Sequence, residues 1–202
     1  MTKRIILASQ SPRRKELLHL CVKEFSIQVA DIEERAIESQ VMEKTTHETF
    51  LEQATSLVKT LANEKAKVIL QKNEDAIIIG ADTIVVHENR VLGKPNNPEE
   101  AFEMLRSYAG KSHSVITGVS IQTDQQKENF SVETKVHFFD WNPQMEKEIR
   151  NYIASGSPFD KAGGYGIQEM PSLWISGIEG DYLNVVGLPV AYVNQTLQNF
   201  YK

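Results

Sequence analysis

Short unbroken apolar runs alternate along this chain with amphipathic stretches, the pattern of strands buried in a sheet with helices laid against it. Ile5-Ile6-Leu7-Ala8 is the first run. Ser9-Gln10-Ser11 breaks it, and a helical segment to about Cys21 follows, with Ser11 placed as N-cap and Pro12 where a missing N–H costs nothing. Phe25-Ser26-Ile27-Gln28-Val29 alternates as a half-buried strand. The acidic stretch from Asp31 to Glu43 has few apolar anchors and reads as a loop or a lightly packed helix start. From Thr46 to about Gln71 apolar residues recur every three or four positions, predicting a long helix. Asp75 to Val86 then reads as a central strand.

The second half repeats this vocabulary. His87-Glu88-Asn89-Arg90 predicts a hairpin turn, Val91-Leu92 a short return strand, and Gly93-Lys94-Pro95 a tight turn. Asn97-Pro98-Glu99-Glu100 has the signature of a helix start, and Gly110 ends that helix. Ser112 to Ile121 and Phe130 to Phe139 alternate as an antiparallel pair about a polar turn, and Asn142 to Ser155 is helical. A glycine-rich stretch, Gly156 to Gln168, follows. Leu173 to Ser176 reads as a strand and Gly180 to Pro189 as a second strand-to-helix junction, with Pro189 opening the last helix.

Length and charge narrow the function classes. The 202 residues suffice for a sizeable core, as one domain or as two small lobes. With 22 basic and 27 acidic residues the formal charge is -5, which argues against a nucleic-acid-coating surface or a polybasic membrane anchor. Cys21 is the only cysteine, so intrachain disulfides and thiolate metal clusters are excluded. It lies among Leu17, Leu18, Leu20 and Val22, where a cysteine is usually a small core residue. No apolar stretch approaches the length of a membrane span, and the expectation is a soluble cytoplasmic protein.

Four short stretches carry chemistry. Where the first strand feeds a helix, Arg13, Arg14 and Lys15 put three cations at the positive end of the dipole, a cost that a bound phosphate chain would remove. A solvated basic turn has the same composition. In the central strand Asp82-Thr83 interrupts an apolar run, and a carboxylate in a strand interior needs hydrogen bonds, cations or a metal. The bland alternative is a bulge kinked at Gly80. Lys94, held between Gly93 and Pro95, is a better phosphate-ligand candidate than Lys59, Lys65 or Lys67, which read as the wet face of a helix. Four glycines between Gly156 and Gln168 allow close backbone approach to a ligand, and Asp160, Lys161 and Gln168 add a carboxylate, a cation and an amide. That spacing matches neither the Rossmann fingerprint nor the P-loop, and a flexible linker would look alike. His113 and His137 belong to no ligand motif and read as surface or hydrogen-bonded strand residues.

Taken in order, Leu7-Ala8-Ser9-Gln10-Ser11-Pro12-Arg13-Arg14, Gly80-Ala81-Asp82-Thr83, Gly93-Lys94-Pro95, Asp160 to Gln168 and Asn184 to Pro189 resemble the Maf (septum formation) family of nucleoside triphosphate pyrophosphatases. The resemblance runs almost end to end. It implies one Maf-like α/β domain over residues 1–202, elongated and two-lobed, with a twisted mixed sheet and a central cleft. It also implies hydrolysis of dTTP and UTP, and of modified pyrimidine nucleotides, to monophosphate and pyrophosphate with a divalent cation, Mg²⁺ or Mn²⁺. Carried over by position, Asp82 would be the proton acceptor and, with Glu33, a metal ligand. Ser9, Arg13, Arg14, Lys65, Thr83, Lys94, Asp160, Lys161 and Gln168 would bind substrate, with Arg13, Thr83 and Gln168 marking the dTTP/UTP subgroup. A homodimer is a further implication. The rival class is a non-catalytic nucleotide- or nucleic-acid-binding regulator of cell division, which the net charge disfavours; a nearer rival is a purine-clearing enzyme of the ITP type.

Overall fold

The computed structural model describes residues 3–201. In chain order it comprises β1 (Arg4–Ala8), α1 (Pro12–Leu18), β2 (Ser26–Ile27), α2 (Glu34–Lys44), α3 (Phe50–Leu70), β3 (Ala76–His87) and β4 (Arg90–Leu92). The second half adds α4 (Pro98–Ser107), β5 (Ser112–Gln122), β6 (Lys127–Phe138), α5 (Pro143–Ala154), β7 (Ile175–Glu179), α6 (Tyr182–Val186) and α7 (Val190–Leu197). Together they form a mixed α/β fold around a seven-stranded sheet ordered β2-β1-β3-β5-β6-β7, with β4 beside the end of β3. β1 runs parallel to β2 and β3, and every other pairing is antiparallel.

Capping accounts for most of the helix starts. Ser11 accepts the Arg14 N–H and Pro12 occupies the first turn of α1; Asn97 and Asn142 do the same for α4 and α5, each followed by proline. Thr49 and Glu52 form a reciprocal capping box on α3. The hairpin predicted after β3 turns on Glu88 and Asn89, both at positive φ, as a two-residue connection requires.

Alternation along β3 divides its side chains between two faces. Ile79, Ala81 and Val85 join the main core with residues of α1 and α4–α7, whereas Ile78, Ile84 and Val86 pack toward α3. α3 lies unusually close to the sheet. A Cβ at Gly80 would meet the Ala62 carbonyl, and one at Gly118, the cross-strand neighbour of Asp82, would meet the Val58 carbonyl. These two glycines let the helix backbone descend onto the strands.

The pairing of β3 is interrupted on one edge. β5 covers Ile78 to Val86 on one side. The opposite edge is shared, with β1 taking Ala76 to Gly80 and β4 taking Val85 to His87. Ala81 to Ile84 therefore have no strand neighbour there. β1 ends because Ser9–Ser11 turns the chain into α1, and β4 is only three residues long.

Two elements differ from the sequence pattern. β2 shrinks to two exposed residues, and the run Tyr182 to Val186 is a short helix rather than a strand. The physical reason is local. The Asp181 carboxylate caps the turn by accepting the Leu183 N–H at 2.8 Å, and Asn184 is buried with its amide donating to the Val115 carbonyl and to Thr134 Oγ1, each at 3.0 Å. An extended Asn184 would forfeit those partners, and Gly187 at φ 131° ends the helix.

The close helix–sheet approach generates a stability prediction. Gly118→Ala forces a methyl group into backbone rather than into a yielding side chain, so the unfolding free energy should fall by about 2 kcal/mol or more. Urea unfolding measures this, and an unchanged midpoint would show that α3 can lift without cost.

Candidate active site

A cleft of about 850 Å³ opens where β3 lacks its neighbour, lined by the Ser9–Arg14 turn, β3 at Asp82–Val85, the Val91–Lys94 segment, the glycine-rich loop and Val185–Gly187. Asp82 and Thr83 are consecutive on a strand and point to opposite faces. Because no strand covers that edge, both still line the cleft.

On the α3 face, Lys65 reaches down from the helix to Asp82. Its Nζ lies 2.6 Å from Asp82 Oδ1 and 2.7 Å from Glu34 Oε1 on α2. The Lys65 and Asp82 side chains are only 15% and 14% exposed, so this pair is far less screened than a surface ion pair. The spacing of α3 assigned Lys65 to the wet face of the helix; the glycine-mediated descent of that helix brings it into the site instead. Glu34 and Glu38 complete the acidic wall. Glu33, the acid expected at the metal, stands at the N-cap of α2 outside the cleft lining, one residue from the Glu34 that pairs with Lys65. Nothing in a run of five acids distinguishes neighbours, but Glu34 and Glu38 share a helix face four residues apart, a signal the sequence did hold.

The two arginines of the basic turn have different roles. Arg13 is one-third exposed, with Nη1 3.6 Å from Asp160 Oδ2 across the cleft. Arg14 turns inward. Its Nε donates to the Gly187 carbonyl at 2.9 Å, Nη1 to the Ala81 carbonyl at 3.0 Å and Ser9 Oγ at 3.3 Å, and Nη2 to Thr83 Oγ1 at 2.9 Å. Burial lowers its pKa from the usual guanidinium value, opposed by the charge of Asp82. Thr83 Oγ1 also shares a hydrogen bond with Thr117 Oγ1 at 2.9 Å, so the hydroxyl expected to meet a base is already engaged within the protein.

Across the cleft the glycine-rich segment is a folded loop of short tight turns, Ser157–Asp160 and Ala162–Gly164, rather than a linker. Lys161, expected to bind substrate, is 6% exposed and already surrounded by oxygen: Asp160 Oδ1 at 2.7 Å, the Ser157 carbonyl at 2.8 Å, Ser157 Oγ at 3.1 Å and Glu169 Oε1 at 3.1 Å. Its ammonium has only three donors, so the loop itself satisfies it. Glu169 in turn accepts from Ser157 Oγ at 2.6 Å and Tyr152 Oη at 2.7 Å. Burial would raise this carboxyl, but Ser157, Tyr152 and Lys161 outweigh it and lower its pKa. Tyr152 and Glu169 lie outside the chemistry-bearing stretches read from the sequence, and Ser157 lies within the glycine-rich one without being singled out. Asp160, exposed, gathers Lys161, Arg13 and Lys94; burial opposes the effect, yet these cations lower its pKa. Lys94 and Gln168 line the cleft with exposed side chains.

Beneath this loop lies a buried cluster of Tyr108, His113, Phe138 and Tyr165. Tyr108 Oη donates to the Gly163 carbonyl at 2.9 Å, and His113 Nε2 pairs with Tyr165 Oη at 2.8 Å. His113 is thus the hydrogen-bonded strand residue expected, placed under the loop. Tyr165 and Ile167 give the cleft a mainly apolar corner on this side, with Val115 and Val186.

Residues 4–200 match the family model described as Maf-like protein. The chain is 46% identical over 200 residues to a dTTP/UTP pyrophosphatase of Bacillus velezensis, covering 99% of this chain and 98% of that one. It is 43% identical over 198 residues to a dTTP/UTP pyrophosphatase of Bacillus cereus, covering 98% and 96%.

His113 makes the loop's support pH-dependent. Burial first, then the charges of His87 and His137, pull its pKa from 6.5 down to about 3. As pH falls through that window the unfolded chain binds the proton first, so stability is lost by up to ~1.4 kcal/mol per pH unit. Denaturation midpoints should therefore fall more steeply with acidification in the wild type than in His113→Gln. Parallel slopes would contradict this role.

Proposed function

This chain belongs to the Maf family, and on that premise we propose that its cleft hydrolyses dTTP and UTP at the α–β anhydride, releasing the monophosphate and pyrophosphate. The observation that carries the reading is the Lys65–Asp82 pair at the uncovered edge of β3, facing a cleft whose volume lies within the range of small-molecule sites. In the hydrolysis a water oxygen bonds to phosphorus as the bridging P–O bond breaks. Asp82 accepts the water's proton: Lys65 holds Oδ1, and Oδ2 has no protein partner among the described residues. Arg13 and Lys94 meet the phosphates, and the apolar corner at Tyr165 and Ile167, with Gln168 at its rim, receives the base.

The donor set suits a hard divalent cation. No group of three or more His, Cys, Asp or Glu side chains gathers to form a dedicated cage among the described residues. Asp82, Glu34 and Glu38 instead offer carboxylate oxygen from one wall of the cleft, which fits Mg²⁺ or Mn²⁺ carried partly by substrate phosphates. When bound there, the cation would neutralise phosphate charge and orient the chain for in-line displacement. No helix among the described residues is long and apolar enough to cross a membrane. A cytoplasmic setting and a homodimeric state belong to the same reading.

UTP incubated with Mg²⁺ should yield UMP and pyrophosphate in equal amounts, with orthophosphate appearing only after inorganic pyrophosphatase is added. Asp82→Asn should lower kcat by ~10²–10⁴-fold. Direct orthophosphate release would refute the bond assignment, and full turnover by Asp82→Asn would refute the proton acceptor.

A further inference from the structure

We infer that Arg14 is a positioning residue that holds the uncovered part of β3 through the Ala81 carbonyl and the Thr83 hydroxyl, and that it does not bind substrate phosphate. The inference rests on the pyrophosphatase reading of the cleft and goes beyond it by removing one cation from the substrate-binding set.

Donor accounting carries it. A guanidinium has five N–H groups in a planar fork. Arg14 commits four of them, to the Gly187 carbonyl, the Ala81 carbonyl, Ser9 Oγ and Thr83 Oγ1. A bidentate grip on phosphate needs two parallel N–H groups, and only one is left. One of the contacts it would break is one a strand would otherwise make, to the Ala81 carbonyl on the uncovered edge; the contact to Thr83 is to its side-chain hydroxyl. Arg14 thus ties three separate segments together, the turn after β1, the uncovered part of β3 and the end of α6. Asp82 lies between the two β3 residues that it grips. Arg13 makes the opposite case, partly exposed with one long contact to Asp160, and so available to an anion.

A charge-preserving substitution separates the two roles. Lysine can still meet a phosphate as a point charge but cannot reproduce the fork. Per folded molecule, with the folded fraction fixed by thermal unfolding, Arg14→Lys should lower kcat for UTP on the order of 10²-fold, as expected for a displaced catalytic group. Inhibition by added pyrophosphate should stay at the wild-type level. Weakened pyrophosphate inhibition overturns the inference whatever happens to kcat, and so does unchanged kcat, which would leave Arg14 a merely structural residue. If Arg14→Lys does not fold, the wild-type protein decides by NMR. The Arg14 Nε–H signal should stay protected and unshifted when pyrophosphate saturates the cleft, and a shift matching that of Arg13 overturns the inference. Failure of the wild type to release pyrophosphate from UTP would instead refute the activity, and the NMR result would still report on Arg14.

Discussion

A strand edge without a neighbour leaves N–H and C=O groups that must find other partners, and a buried edge must find them within the protein or in a ligand. Along β3 the edge is covered by β1 as far as Gly80 and by β4 from Val85, and the cleft opens onto the interval between. The interval gives Asp82 and Thr83 access to one cavity from opposite faces of the sheet. It also leaves the Ala81 carbonyl to an arginine side chain.

The second constraint is the height of α3 above the sheet. Gly80 and Gly118 remove the side chains that would hold the helix away, and only at that separation does Lys65 meet Asp82. Replacing Lys65 alone would leave the poorly solvated Asp82 charge uncompensated, whereas replacing Asp82 leaves Lys65 its Glu34 partner. Opposite it, the glycine-rich loop brings its own neutralisation. Lys161 is satisfied by Asp160, Glu169 and Ser157, which leaves Arg13 and Lys94 as the cleft's more accessible cations.

Most of this was legible in the chain where the physics is local. The N-caps at Ser11 and Asn97, the buried character of β1 and β3, and the Asp82 anomaly all follow from neighbours in sequence. Lys65 was not legible from its helix, because its placement depends on two glycines in strands that only the fold brings beneath it. Glu34 could not be told from Glu33 by composition. Arg14 and Lys161 look like substrate ligands in a motif, and the fold also gives each of them partners within the protein, at Gly187 and Ala81 for the first and at Glu169, eight positions away, for the second. Tyr182–Val186 reads as a strand from apolarity alone, and a buried asparagine with two acceptors decides for a helix.

The most direct test of the account is a crystal structure of the protein with Mg²⁺ and a UTP analogue whose α–β bridge cannot be hydrolysed. The bridging position should lie beside the uncovered edge of β3, with Asp82 Oδ2 within one water of the α-phosphorus and the four Arg14 contacts intact. An analogue bound away from that edge, or an Arg14 swung out onto the phosphates, would contradict it.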